Sequence, residues 1–160
     1  MDVMDFKDFM DCQLLLLTYK VYSTLISLHS QRNFYMQFNP EIFKAYDIRG
    51  LVRGDLSEEL AYRIGRAFVS YLRSSSYLHD DQSVVVGRDM RESGPLLSAA
   101  VMRGIQDEGV SVVNIGLSST PLFNFACANF PEHAGGIMVT ASHNPAEYNG
   151  FKLTLGTGLP

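Results

Sequence analysis

Two hydrophobic periods share this chain, and the switches between them mark out alternating helices and strands. Leu60, Ile64, Phe68 and Leu72 recur at intervals of four and predict one buried helical face. Ser57 is the predicted N-cap, with Glu58 and Glu59 well placed in the first turn, and Ser74-Ser75-Ser76 breaks the pattern. Ser83-Val84-Val85-Val86-Gly87 is a β-branched run between turn residues, as in a strand buried on both faces. The helical period returns with Leu97, Val101 and Ile105, where Ser93 can cap and Gly109 closes. Val110 to Gly116 predicts the next strand. Thr120 and Pro121 then take the N-cap and first turn of a helix running to about Phe130. Gly135 to Thr140 and Phe151 to Leu155 are two further strands, and Phe43 to Gly50 is a loop or short strand.

The order is helix, strand, helix, strand, helix, strand, strand. Such alternation implies an α/β fold, a mostly parallel sheet covered by helices and joined by right-handed crossovers. The loop before the last strand is about ten residues, too short for a crossover helix, so that strand is expected to be antiparallel.

The first 35 residues have a different character. Asp2, Asp5, Asp8 and Asp11 recur every third position, ahead of an apolar stretch from Leu14 to Leu28. Leu14, Leu17, Val21, Leu25 and Leu28 fit one helical stripe. An acidic start does not suit a secretory signal, and Lys20, Tyr22, Ser23, Thr24 and Ser27 interrupt any membrane span. Residues 1–35 are therefore expected to form an extension outside a domain covering 36–160, dispensable or docking on a partner, with Met36 as an alternative start.

At 160 residues, 46% hydrophobic and 19% charged, the chain has the make-up of one globular domain. A net charge of −4 argues against non-specific nucleic-acid binding, so any anion site must gather its cations locally. Cys12 and Cys127 have neither metal-ligand nor redox spacing, which suits a reducing cytoplasm.

Three polar constellations lie after or beside the apolar strands. They are Tyr46-Asp47-Ile48-Arg49-Gly50, the Gly87-Arg88-Asp89 loop with Arg91 and Ser93, and Thr140-Ala141-Ser142-His143-Asn144-Pro145 with Lys152. The last follows the Gly136 to Val139 strand, and ligands of open α/β sheets bind beyond the carboxyl ends of strands. Arg49, Arg88, Arg91 and Lys152 suit phosphate if they converge, because a planar guanidinium offers two parallel hydrogen bonds. A blander reading stands beside this one. Arg88-Asp89 can be a local ion pair, Arg91-Glu92 a solvated pair, and Ser142 part of a polar turn favoured by Asn144-Pro145. A Ser-His-acid hydrolase is disfavoured, since adjacent side chains on an extended segment diverge and the nucleophile elbow is missing. His29, His79 and His133 are isolated, and Asp47, Asp89 and Glu147 sit on separate loops, which is weak support for a metal.

Taken jointly, these motifs have a known counterpart. In order and spacing, Tyr46 to Gly50, Val86-Gly87-Arg88-Asp89 with Arg91-Ser93-Gly94, and Thr140 to Pro145 with Tyr148-Asn149-Gly150-Phe151-Lys152 resemble the first domain of the α-D-phosphohexomutases. The likeness runs from about Phe38 to Pro160 and is strongest to the bacterial phosphomannomutase/phosphoglucomutase group. It implies a three-layer α/β/α domain with a mixed, mostly parallel sheet, incomplete at its C-terminus.

It further implies that Ser142 carries a phosphoryl group between hexose 1-phosphate and hexose 6-phosphate, through a hexose 1,6-bisphosphate. Arg49 and Lys152 would stabilise the transferring group, and His143 and Asn144 would shape the loop, His143 helping as acid or base. Tyr46 and Arg88 would complete the phosphate and substrate loops, with Arg88 ordering the site without touching substrate. Mg²⁺ would sit against the phosphoserine, making Ser142 the one metal contact on this chain. The implied partners are hexose phosphates and domains 2–4 of the same enzyme, not nucleic acid or membrane. Without those domains the chain alone is expected to be inactive. A stand-alone phosphate or phosphosugar receptor, or a non-functional truncated gene product, is the alternative.

Overall fold

In the computed structural model, residues 17–27 and 38–157 are described. Residues 17–27 form helix α1, and a short 3-10 turn (Pro40–Ile42) leads into β1 (Ile48–Leu51). There follow α2 (Glu58–Ser74), β2 (Ser83–Arg88), α3 (Gly94–Asp107), β3 (Ser111–Leu117), α4 (Thr120–Ala128), β4 (His133–Val139) and β5 (Tyr148–Leu155). The sheet order is β1-β5-β4-β2-β3. β2 pairs in parallel with β3 and β4, whereas β5 runs antiparallel to both β4 and β1. The sheet is therefore mixed, and β5 alone among its described strands points the other way.

Strand periodicity divides the core. Val84 and Val86 of β2, Ile137 and Val139 of β4 and Phe151, Leu153 and Leu155 of β5 face the larger cluster, built with Leu60, Ile64, Phe68 and Leu72 of α2 and Val101 and Ile105 of α3. Val85 and Met138, one position out of phase, meet Phe123 and Cys127 of α4 on the other side. Alternate residues of a strand project to opposite faces, and helices on both give the α/β/α layering. β3 is an edge strand, and its Val113 and Leu117 are exposed.

The described part of the N-terminal extension shares this core. Leu17, Val21 and Leu25 are buried in the larger cluster. Thr18 Oγ1 donates to the Ala45 carbonyl at 3.2 Å, and the Tyr22 ring meets those of Phe38 and Phe43. The expected stripe thus faces its own domain, in place of a separate extension or a partner. The aspartate repeat, Leu14, Leu28 and the boundary at residue 36 lie outside the described residues.

Two capping assignments shift. Ser57 caps α2 as expected, its hydroxyl accepting from the Leu60 amide at 3.1 Å. At α4 the N-cap is Ser119, one residue before Thr120, so that Pro121 stays within the first turn; the helix ends at Ala128, short of Phe130. Ser93 stands at the start of α3 but makes no capping bond, because its hydroxyl accepts from Asn149 Nδ2 at 2.8 Å. Gly109 closes α3 with a left-handed φ of +77°.

Candidate active site

Register brings the first and third constellations together. Arg49 pairs with Gly150 across β1 and β5, and Lys152, two residues on, projects to the same face as Gly150. Ile48 and Phe151 take the alternate face into the core. Close approach at Gly50 is real, since a Cβ there would meet the Asp55 Cβ at 2.6 Å. Arg49 and Lys152 line a cleft of about 640 Å³ with Tyr46, Asp47, Lys44 and Asn144.

The Arg49 guanidinium is held within that cleft. Asp47, only 5% exposed, accepts from Nε at 2.7 Å and from Nη2 at 2.6 Å. Nη1 donates to Asn144 Oδ1 at 2.8 Å. The Lys152 side chain forms no hydrogen bond or ion pair among the described residues, so its ammonium is open to the cleft. Tyr46 is half-exposed at the rim.

Ser142 follows β4 directly after Thr140 and Ala141, exposed and with a left-handed φ of 55°. That conformation is uncommon for a residue with a Cβ and needs support from its surroundings. Thr140 gives part of it, accepting the Ser142 amide at 2.9 Å while donating its own hydroxyl to Asp89 at 2.7 Å. The Ser142 hydroxyl stands 3.5 Å from His143 Nδ1, at the outer limit of a hydrogen bond. The two side chains meet at all because the left-handed turn removes the divergence expected of an extended segment. No carboxylate among the described residues bonds to His143, so no Ser-His-acid relay is assembled.

The second constellation is arranged differently from expectation. Asp89 pairs with Arg91 at 3.2 Å and not with Arg88. Arg88 ends β2 and donates only to the Asp89 backbone carbonyl, at 3.3 Å. Adjacent residues of an extended chain project to opposite sides, which keeps Arg88 from its neighbour's carboxylate. Nor is Arg91 half of a solvated pair with Glu92: its side chain is 11% exposed and donates to the carbonyls of Ser142, Asn144, Pro145 and Tyr148. The side-chain hydrogen bonds donated from this constellation to the Ser142 loop are therefore made by Arg91.

In the sequence Arg91 stands only as a candidate phosphate cation or half of a solvated pair with Glu92, and Thr140 and the fully buried Asn149 only as members of motifs; sequence reasoning missed their roles in holding the loop. The available signal for Arg91 was three charges within four positions on a loop after a buried strand. Its carbonyl partners lie 51 to 57 residues away and leave no local trace.

A divalent cation is poorly served by these residues. Among those described, no group of three His, Cys, Asp or Glu side chains could hold a metal ion. Asp47 is occupied by Arg49, and Asp89 by Arg91 and Thr140. The described residues do not fit a metal site by themselves. His79 is exposed, His133 binds Ser83 at 2.7 Å near the opposite end of β4, and His29 lies outside the described residues. Also among the described residues, no helix is long and apolar enough to cross a membrane.

Together these features define an α/β domain presenting a serine loop at a strand's carboxyl end beside a cationic cleft. Residues 40–160 match the family described as phosphoglucomutase/phosphomannomutase, alpha/beta/alpha domain I, and the chain belongs to that family. It is 46% identical over 117 residues to a phosphoglucomutase of Neisseria gonorrhoeae, covering 72% of this chain and 24% of that protein. Over 118 residues it is 45% identical to a phosphomannomutase of Klebsiella pneumoniae, covering 74% of this chain and 70% of that one. A solved structure of a phosphoglucomutase/phosphomannomutase family protein from Burkholderia thailandensis superposes with a TM-score of 0.67 at 41% identity, covering 76% of this chain and 27% of that one. The chain spans about a quarter of the length of relatives such as the Neisseria gonorrhoeae and Vibrio cholerae proteins.

Proposed function

We propose that Ser142 is the phosphoryl carrier of a hexose phosphomutase, exchanging a phosphoryl group with a bisphosphorylated hexose and a hexose monophosphate. The observation that carries this reading is an exposed serine, held left-handed at the end of β4, on a loop tied through Asn144 to a cleft with Arg49 and Lys152.

The exchange balances simply. The Ser142 hydroxyl oxygen bonds to phosphorus as the phosphorus–sugar oxygen bond breaks; the serine proton leaves and the sugar oxygen gains one. The reverse step delivers the phosphoryl group to a hydroxyl of the hexose monophosphate. His143, 3.5 Å from the hydroxyl, is the nearest group able to move that proton. Phosphoryl transfer has a loose transition state with charge on the peripheral oxygens, so catalysis is mainly positioning and cationic stabilisation. Lys152, unpaired among the described residues, supplies one such charge. Arg49 supplies another, pre-aimed by Asp47 and Asn144. Tyr46 and Asn144 shape the approach. No step is assigned to Mg²⁺, whose further ligands would have to come from outside the described residues. For the same reason this 160-residue chain alone is expected to show no useful mutase turnover.

The test is intact mass and peptide mapping after incubation with glucose 1,6-bisphosphate. One phosphoryl group on Ser142, absent in Ser142→Ala, supports the reading. An unmodified wild-type chain, or modification that survives in Ser142→Ala, overturns it.

A further inference from the structure

We propose that Arg91 is the positioning residue that fixes the backbone of Ser142, and thereby the direction of its hydroxyl. A guanidinium has five N–H donors. In Arg91 Nε takes Asp89 at 3.2 Å, Nη1 takes the carbonyls of Pro145 at 2.7 Å and Tyr148 at 2.8 Å, and Nη2 takes those of Ser142 at 3.1 Å and Asn144 at 2.7 Å. Every donor is engaged, four by the loop and one by Asp89, and none remains for a phosphate.

The four carbonyls bound by Arg91 lie at or after Ser142, and Asp89, through Thr140, holds the side before it. A residue's φ and ψ are set by the two peptide planes that flank it. The plane before Ser142 is held by its N–H on Thr140, whose hydroxyl rests on Asp89. The plane after it is held by its carbonyl on Arg91. Asp89 and Arg91 are themselves paired, so one ion pair governs both planes and holds a φ of 55° against the steric preference of a serine. Four carbonyls drawn to one centre also need a delocalised cation of fork shape. Lysine, with three donors on one point, cannot replace it. For catalysis the proposal rests on Ser142 being the phosphoryl carrier; as a statement about the loop it stands alone.

The test has three arms on the full chain. In the wild type, the side-chain N–H signals of Arg91 should be individually resolved by ¹⁵N NMR and exchange about tenfold or more slowly relative to exposed Arg53, the effect of one charge-assisted hydrogen bond. Averaged signals like those of Arg53 would overturn the clamp. In Arg91→Lys, amide exchange at Ser142 and Asn144 should rise about tenfold with α2 amides unchanged. No rise, or an equal rise throughout, would count against it.

In the third arm, Arg91→Lys should lower the maximal rate of Ser142 phosphorylation by glucose 1,6-bisphosphate, leaving the half-saturating concentration unchanged. A change confined to half-saturation would make Arg91 a phosphate ligand and overturn the proposal. A wild-type chain that takes no phosphoryl group defeats the carrier reading alone, and the two NMR arms still decide the clamp. Should Arg91→Lys not fold, Thr140→Val, which releases the Ser142 N–H together with the Thr140 bond to Asp89 and leaves the Arg91 side chain in place, replaces it with the same expected and opposing results at Ser142.

Discussion

Arg49 Nη1 donates to Asn144 Oδ1 at 2.8 Å, joining residues 95 positions apart. The bond fastens the edge strand β1 to the Ser142 loop. Asn144 is thus gripped twice, through its side chain by Arg49 and through its carbonyl by Arg91. Two arginines, one on β1 and one on the loop after β2, converge on one short turn, each paired with its own carboxylate, Asp47 for the first and Asp89 for the second.

The Arg49–Asn144 bond should be visible as a coupling energy. Hydrogen bonds to charged groups contribute about 1.5–3 kcal/mol, and partial exposure brings the expectation here to about 1–2 kcal/mol. Arg49→Met also strips Asp47 of its partner, but that cost appears in both Arg49 variants and cancels in a double-mutant cycle with Asn144→Ala. Urea unfolding of the four proteins measures it. Strict additivity would mean that the bond contributes nothing in solution.

What was legible in the sequence follows from distance along the chain. Periodicities of two and four are local, so Val84, Val86, Leu60 and Ile64 announced their elements and buried faces without help. The antiparallel β5 was legible because a short loop permits no other return. The serine loop and its cations were legible as motifs, and Arg49 meets Lys152 through strand register. The loop-holding role of Arg91 was not, because four of its five partners are carbonyls, and every residue type has one. The same limit hid the burial of α1: its stripe was visible, but the surface receiving it, including Phe38 and Phe43, was not.

The crossing of α2 and α3 is set by two glycines. A Cβ on Gly104 would collide with the Tyr62 carbonyl, and one on Gly65 with the Val101 carbonyl, so the helices touch backbone to backbone. Alanine gains about 1 kcal/mol of helix propensity over glycine. Rigid backbone cannot give way cheaply, and overpacking costs about 1–3 kcal/mol at one site, often more where backbone must move. Gly104→Ala should therefore lose about 1–2 kcal/mol in urea unfolding. A variant as stable as the wild type would mean that the helices separate without penalty.

Cys127 gives the fold an alkaline weakness. Burial against Phe123 and Met138 pushes its thiol up to about 12, while an unfolded thiol ionises near about 8.5. Between those values the unfolded chain has lost the proton and the folded chain has kept it. The native state then binds more protons, so stability falls as pH rises through this window. The urea midpoint of the wild type should drop more steeply above about pH 9 than that of Cys127→Ala. The alanine variant carries a cavity cost, but this is an offset independent of pH. Parallel curves would refute the assignment.

Ser142 pairs a function with a backbone cost, and substitution can separate them. A left-handed residue with a Cβ carries about 1–2 kcal/mol of steric penalty, less for a short polar side chain. Glycine removes that penalty but brings about 0.5–1 kcal/mol of extra unfolded-state entropy. The first effect narrowly exceeds the second, so Ser142→Gly should be more stable by about 0.5 kcal/mol, with Arg91 still bound to the residue 142 carbonyl. Ser142→Val should go the other way, by about 1–2 kcal/mol, since a β-branched side chain fits this conformation worst. Both variants lack the hydroxyl and should take no phosphoryl group from glucose 1,6-bisphosphate. Urea unfolding and intact mass on the same three proteins test the two halves together. If glycine were less stable than serine and valine its equal, the left-handed turn would not exist in solution, and the hydroxyl would need some other means of being aimed.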